Sequence, residues 1–243
     1  MTKPDSNTKY RLLAEFRRLF EGRIYRHRSS NQGDFVAMHL YEDLYAINRS
    51  SNLAEAIRLQ ESVLNAQNRT RGIKARRGDG TFGEIVPGEK PITDAGFSVA
   101  RGPIATVEIG VEVKILAKAM IKQIDRVTGD LLKQVAHFKR GGQTAISVGV
   151  VGINHAAHTV GYEKDRATRT TGKGGFPHPF QEAGDAEHRL RADAAPAFDE
   201  FIVLRYRATN EDPFPFEWVD YNATRQDYAA AFARISREYQ ARF

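Results

Sequence analysis

The stretch ATVEIGVEVKILAKAM, Ala105 to Met120, alternates between two kinds of residue. Odd positions Val107, Ile109, Val111, Val113 and Ile115 are apolar and mostly β-branched, which suits one packed face of a pleated strand. Even positions Glu108, Gly110, Glu112 and Lys114 share the opposite face. Two carboxylates and an amine in one row beside a glycine describe either a wetted surface or a reactive one. What flanks the strand weighs between the two.

Downstream, Lys118–His137 has the composition of a helix, and Lys139–Gly142 (KRGG) stops it. Gln143–Ile153 follows as a largely apolar strand of the kind buried on both faces. Upstream, Gly72–Val86 contains Gly-Asp-Gly and reads as a β-hairpin, Phe97–Arg101 as a short strand, and Gly102-Pro103 as a turn. Helical spacing predicts Asn7–Phe20, Phe35–Ile47 and Leu53–Gln67. The last of these is capped by Ser50, Ser51 or Asn52, and Gln60 interrupts its apolar stripe. Beyond the buried strand come a Gly/Thr/basic loop at Gly161–Pro179, a helix over Phe180–Ala194 and a strand at Glu200–Arg207. An irregular EDPFPFEW and a final helix over Thr224–Arg242 complete the chain. This is a mixed α/β pattern: a helical N-terminal extension (1–52) and a main domain (53–243), read as one continuous globular unit.

Pro91-Ile92-Thr93-Asp94 places an acid just before the short strand, and Glu112-Val113-Lys114 lies on the long one. The order helix, hairpin, acid, strand, turn, strand with Glu-x-Lys, helix, buried strand resembles the PD-(D/E)XK nuclease superfamily, over roughly residues 53–153. The resemblance implies a restriction-endonuclease-like αβββαβ core, a mixed central sheet flanked by helices. In that family an acid near the second core strand and the E-x-K of the third meet at a forked sheet. It also implies Asp94 as first acid, Glu112 as second and Lys114 as the lysine, although Asp94 stands three residues after Pro91 instead of directly after a proline. Asp79 and Glu84 are the reserve candidates for the first acid.

The residue types suit the chemistry independently. Hydrolysing a phosphodiester needs an attacking water, neutralisation of the phosphate and stabilisation of the leaving oxygen. Paired carboxylates bind Mg²⁺, which keeps several of its waters. A neighbouring lysine positions or deprotonates the water and offsets phosphate charge. Residues i and i+2 of a strand share a face about 6.6 Å apart, so Glu112 and Lys114 can address one phosphate. Asp94 and Glu112 are the expected metal ligands. Glu108 is a third ligand or an edge charge, with equal weight. Glu55 and Glu61 on the third helix are better explained as a solvated face.

The chain has 243 residues, 41% hydrophobic and 27% charged, a globular rather than disordered balance, and its net charge of +6 points to an anionic partner. Arg69, Arg71, Lys74, Arg76 and Arg77 form one basic set, and Lys164, Arg166, Arg169 and Lys173 a second. Basic loops on either side of a carboxylate site suit double-stranded DNA. The absence of cysteine excludes disulfides, thiolate zinc sites and a cysteine nucleophile. His155 and His158 have no partner at zinc spacing, and Thr171–Gly175 (TGKGG) lacks the full phosphate-loop pattern. No signal-like apolar run opens the chain, and the longest apolar run is about half a membrane span, so a soluble cytoplasmic protein with no membrane partner is expected. The leading expectation is a Mg²⁺-dependent type II restriction endonuclease, acting as a homodimer related by a two-fold axis. The alternatives are a non-catalytic DNA-binding protein on the same fold and a repair or defence nuclease without sequence specificity.

Overall fold

The computed structural model describes residues 10–27, 31–65, 79–141, 144–163 and 166–243. Helices α1 (Arg11–Arg18), α2 (Asn31–Ile47) and α3 (Ser51–Leu59) precede strands β1 (Ser62–Asn65), β2 (Gly80–Glu84), β3 (Arg101–Gly102) and β4 (Ile109–Leu116). There follow α4 (Met120–Phe138), β5 (Ile146–Asn154), β6 (Val160–Glu163), β7 (Arg166–Arg169) and α5 (Pro179–Asp193). The chain ends with β8 (Glu200–Ala208), β9 (Phe216–Trp218) and α6 (Tyr221–Arg242). Among the described residues, seven strands form a mixed sheet in the order β3-β1-β2-β4-β5-β8-β9, and β6 and β7 form a separate ribbon. β2 runs antiparallel to β1 and β4, whereas β4, β5 and β8 are parallel. Parallel neighbours need crossovers, and α4 and α5 supply them.

Alternation along the strands dictates two layers of helices. Ile109, Val111 and Val113 of β4 pack with Ile146, Val148 and Val150 of β5 into a core shared by α1, α2 and α6. Val151 and Ile153 of β5 point the other way, into a second core with Met120, Ile124 and Leu131 of α4 and Ala183, Ala186 and Leu190 of α5. All nine residues of β5 are buried, as a strand covered on both faces requires. Leu12, Leu13 and Phe16 of α1 and Leu40, Tyr41 and Leu44 of α2 belong to the first core, so α1 and α2 form part of a packed layer. The Tyr41 hydroxyl lies 3.2 Å from the Gly80 carbonyl and 3.1 Å from that of Ile109, which ties α2 to β2 and β4.

Several elements differ from the sequence reading. The predicted helix 53–67 ends at Leu59, because Gln60 takes the left-handed conformation (φ 58°) and the chain turns into β1. Ser50 caps α3, accepting from the Leu53 N–H at 3.2 Å. The long strand starts at Ile109, four residues later than its alternation suggests. The short strand expected at Phe97–Arg101 is reduced to Arg101–Gly102, parallel to β1. Gly161–Pro179 is only partly loop, since the ribbon β6–β7 occupies its first half. The irregular EDPFPFEW ends in β9, paired antiparallel with β8. Of the predicted hairpin 72–86, residues 72–78 lie outside the described residues, and β2 pairs instead with β1 and β4.

Candidate active site

The register of β2 against β4 pairs Gly80 with Val111. One step outward, Asp79 therefore stands opposite Glu112. Directly opposed residues on one face of an antiparallel pair have Cβ atoms about 5 Å apart, and like charges there destabilise the sheet. A carboxylate pair in such a place needs a compensating cation. Lys114 provides one, with Nζ 2.5 Å from Glu112 Oε1. Asp79 is held by the backbone of the same strand, Oδ2 accepting from the Val113 N–H at 2.8 Å.

Helix α2 closes on this pair from the side. A Cβ on Gly33 would lie 2.2 Å from the Asp79 carboxylate, so glycine in the first turn of α2 is what allows the approach. The positive end of that helix then faces the acid. Asp79, Lys114, His27, Gln32 and Gly33 line a cleft of 240 Å³, and Gln123 and Arg126 of α4 form its far wall. Arg126 donates to Gln123 Oε1 at 3.1 Å, and Gln123 Nε2 donates to the Lys118 carbonyl at 3.0 Å. The polar row is thus enclosed by α2 and α4 and is not a wetted face. Gly110, in the same row, is covered by the Phe138 ring of α4, which a Cβ would meet at 2.4 Å.

Burial pushes the Glu112 carboxyl up to about 7, the charge of Asp79 adds to this, and Lys114 opposes it. At neutral pH the pair thus lacks positive charge, and a divalent cation would supply it. The described residues contain no group of three or more His, Cys, Asp or Glu side chains able to cage a metal. Two carboxylates fit Mg²⁺ nonetheless, because that ion dehydrates reluctantly and takes one or two protein carboxylates with waters.

The expected set is only partly brought together. Glu112 and Lys114 meet. Asp94 does not join them: its carboxylate pairs with Arg101 at 2.5 Å, at β3. β3 and β4 are separated by β1 and β2, three strand spacings or about 14 Å. The acid that stands beside Glu112 is Asp79. Glu108 is also elsewhere. It precedes β4, is buried, and accepts from Tyr239 Oη at 2.6 Å and Ser62 Oγ at 2.8 Å, so it is a satisfied core carboxylate. Glu84 lies at the opposite end of β2 from Asp79, 3.4 Å from the Thr106 hydroxyl. Glu55 pairs with Arg58 on the exposed side of α3.

Arg69, Arg71, Lys74, Arg76, Arg77 and Lys164 lie outside the described residues. Arg166 is exposed on β7, Arg169 is bonded to Glu211, and Lys173 is exposed in the turn after the ribbon. His158 bonds Glu211 at 3.0 Å, away from His155. His27 and Arg126 were not among the sequence candidates, since a loop and one face of a helix carry no local signal of a shared cleft. Asp79 had a signal, an acid just before a strand that opposes Glu-x-Lys, but Gly-Asp-Gly there also spells a turn. No helix among the described residues is long and apolar enough to cross a membrane. Compared with protein-family models, curated proteins and solved structures, the chain matches none.

Proposed function

We propose that the protein is a Mg²⁺-dependent endodeoxyribonuclease of the PD-(D/E)XK type, a type II restriction endonuclease acting on double-stranded DNA. The observation that carries this reading is the cross-strand pair Asp79 and Glu112 with Lys114 on Glu112, of which Asp79 and Lys114 line one cleft. The order α3, β1, β2, β4, α4, β5 supports it, since apart from the two-residue β3 at the sheet edge it follows αβββαβ, with the acid just before the second core strand and Glu-x-Lys on the third. Asp79 and Glu112 would hold the metal, which lowers the proton affinity of a bound water and neutralises phosphate charge. Lys114 orients the attacking water and takes up negative charge as the bond to phosphorus forms. Breaking both strands of a duplex calls for two copies of the chain, and the basic sets at 69–77 and 164–173 would track the backbone.

Supercoiled plasmid incubated with the protein tests the reading. Mg²⁺ should yield cleavage into discrete fragments, and Ca²⁺ should support binding with little cutting. Lys114→Ala should retain fold and DNA affinity while single-turnover cleavage falls by orders of magnitude, because its contribution is made mainly in the transition state. Binding without any Mg²⁺-dependent cleavage would instead favour a non-catalytic DNA-binding protein, and smeared products a nuclease without sequence specificity.

A further inference from the structure

A second basic notch adjoins the cleft. Gly161 of β6 has no positive φ and turns no corner, yet a Cβ there would lie 1.9 Å from Lys118 Nζ and 3.2 Å from His27 Nε2. Lys118 Nζ thus fills the place that glycine leaves, with His27 Nε2 beside it. Asn210 builds the notch by accepting from the Tyr25 N–H at 2.7 Å and donating to the carbonyls of Tyr25 and Val160 at 2.9 and 2.7 Å. That pins the segment carrying His27 against β6. Gln123 holds the turn carrying Lys118.

The donors in this notch are under-used. Lys118 commits one proton to the Thr168 hydroxyl at 2.6 Å and makes no ion pair among the described residues. His27 Nε2 is buried and has no hydrogen-bond partner among them. Other buried polar atoms share that condition, and what sets this one apart is the Lys118 ammonium beside it. Glu163 is the acid nearest both groups, and across the ribbon it faces Arg166 in register.

His27 lines the same cleft as Asp79 and Lys114, and Lys118 lies four residues beyond Lys114. We propose that His27 Nε2 and Lys118 Nζ form a second phosphate subsite, which holds a phosphodiester neighbouring the scissile one in the same DNA strand. This rests on the nuclease reading for its ligand. An imidazole N–H and an ammonium at different angles suit the two non-bridging oxygens of one phosphate. Burial, and then the charge of Lys118, holds the imidazole neutral, with its pKa pushed down to about 4, so it donates as a neutral group.

The experiment uses the full chain, plasmid DNA in Ca²⁺ and inorganic phosphate. Lys118→Met should flatten the slope of log affinity against log salt by about one unit. Gly161→Ala should do the same by displacing the flexible end of Lys118, with little effect on folding. Inorganic phosphate should shift the His27 ring resonances of the wild type in NMR spectra and leave those of Lys118→Met in place. If the wild type cuts DNA in Mg²⁺ while neither the slope nor the His27 signals respond, the subsite is overturned and the nuclease reading stands. If phosphate shifts His27 but the wild type neither binds nor cuts DNA, the nuclease reading fails and a DNA strand is the wrong ligand.

Discussion

At the scale of the residue, the site turns on one carboxyl group. Glu112 is buried beside Asp79, and its pKa is pushed up to about 7, so the metal-free protein binds a proton there below that pH. Mg²⁺ must displace that proton, so its apparent affinity should fall about tenfold per pH unit below pH 7 and level off above it. Calorimetric Mg²⁺ titrations between pH 5.5 and 8.5 check this, and a flat affinity across the range would separate Glu112 from the metal. Glu112 and Lys114 were legible in the sequence because i and i+2 on a strand share a face whatever the rest of the chain does. Asp79 was legible only as a reserve candidate, since only the register of β2 against β4 sets it opposite Glu112, and register is a long-range property. Asp94 met the sequence pattern but is bound to Arg101 at the far edge of the sheet.

At the scale of the element, β4 is shaped by the helix that covers it. Gly110 exists to admit Phe138, so Gly110→Ala should overpack the interface and destabilise by about 1–3 kcal/mol in urea denaturation. Combining it with Phe138→Leu should recover part of that loss, and strict additivity would show that the ring does not cover Gly110. Some elements were readable in advance: β5 from its unbroken apolar run, α4 from its composition, and α6 from Tyr228, Phe232, Ile235 and Tyr239, which share one buried face. The junction of α3 and β1 was not, because one left-handed glutamine, Gln60, ends the helix where glycine would be the ordinary signal. The ribbon β6–β7 was also hidden. All four residues of β7 are exposed, so no hydrophobic alternation marks it.

At the scale of the whole molecule, the N-terminal helices are structural. Phe16 packs with Phe20, Tyr206 and Trp218, and Asp43 of α2 accepts from the Arg11 and Leu12 N–H groups and the Tyr228 hydroxyl. Deleting residues 1–50 should therefore abolish cooperative thermal unfolding by circular dichroism. A truncated chain that melted cooperatively near the wild-type temperature would mark residues 10–47 as a dispensable extension. The same architecture brings α2, β4, α4 and the residue before β2 together around one cleft, and Asp79 is the acid it holds there. Single-turnover plasmid cleavage in Mg²⁺ by Asp79→Asn, beside Asp94→Asn and wild type, decides between the two acids. The account predicts a loss of orders of magnitude for Asp79→Asn and a rate within a few-fold of wild type for Asp94→Asn; the reverse ranking, or a wild type that does not cleave, would contradict it.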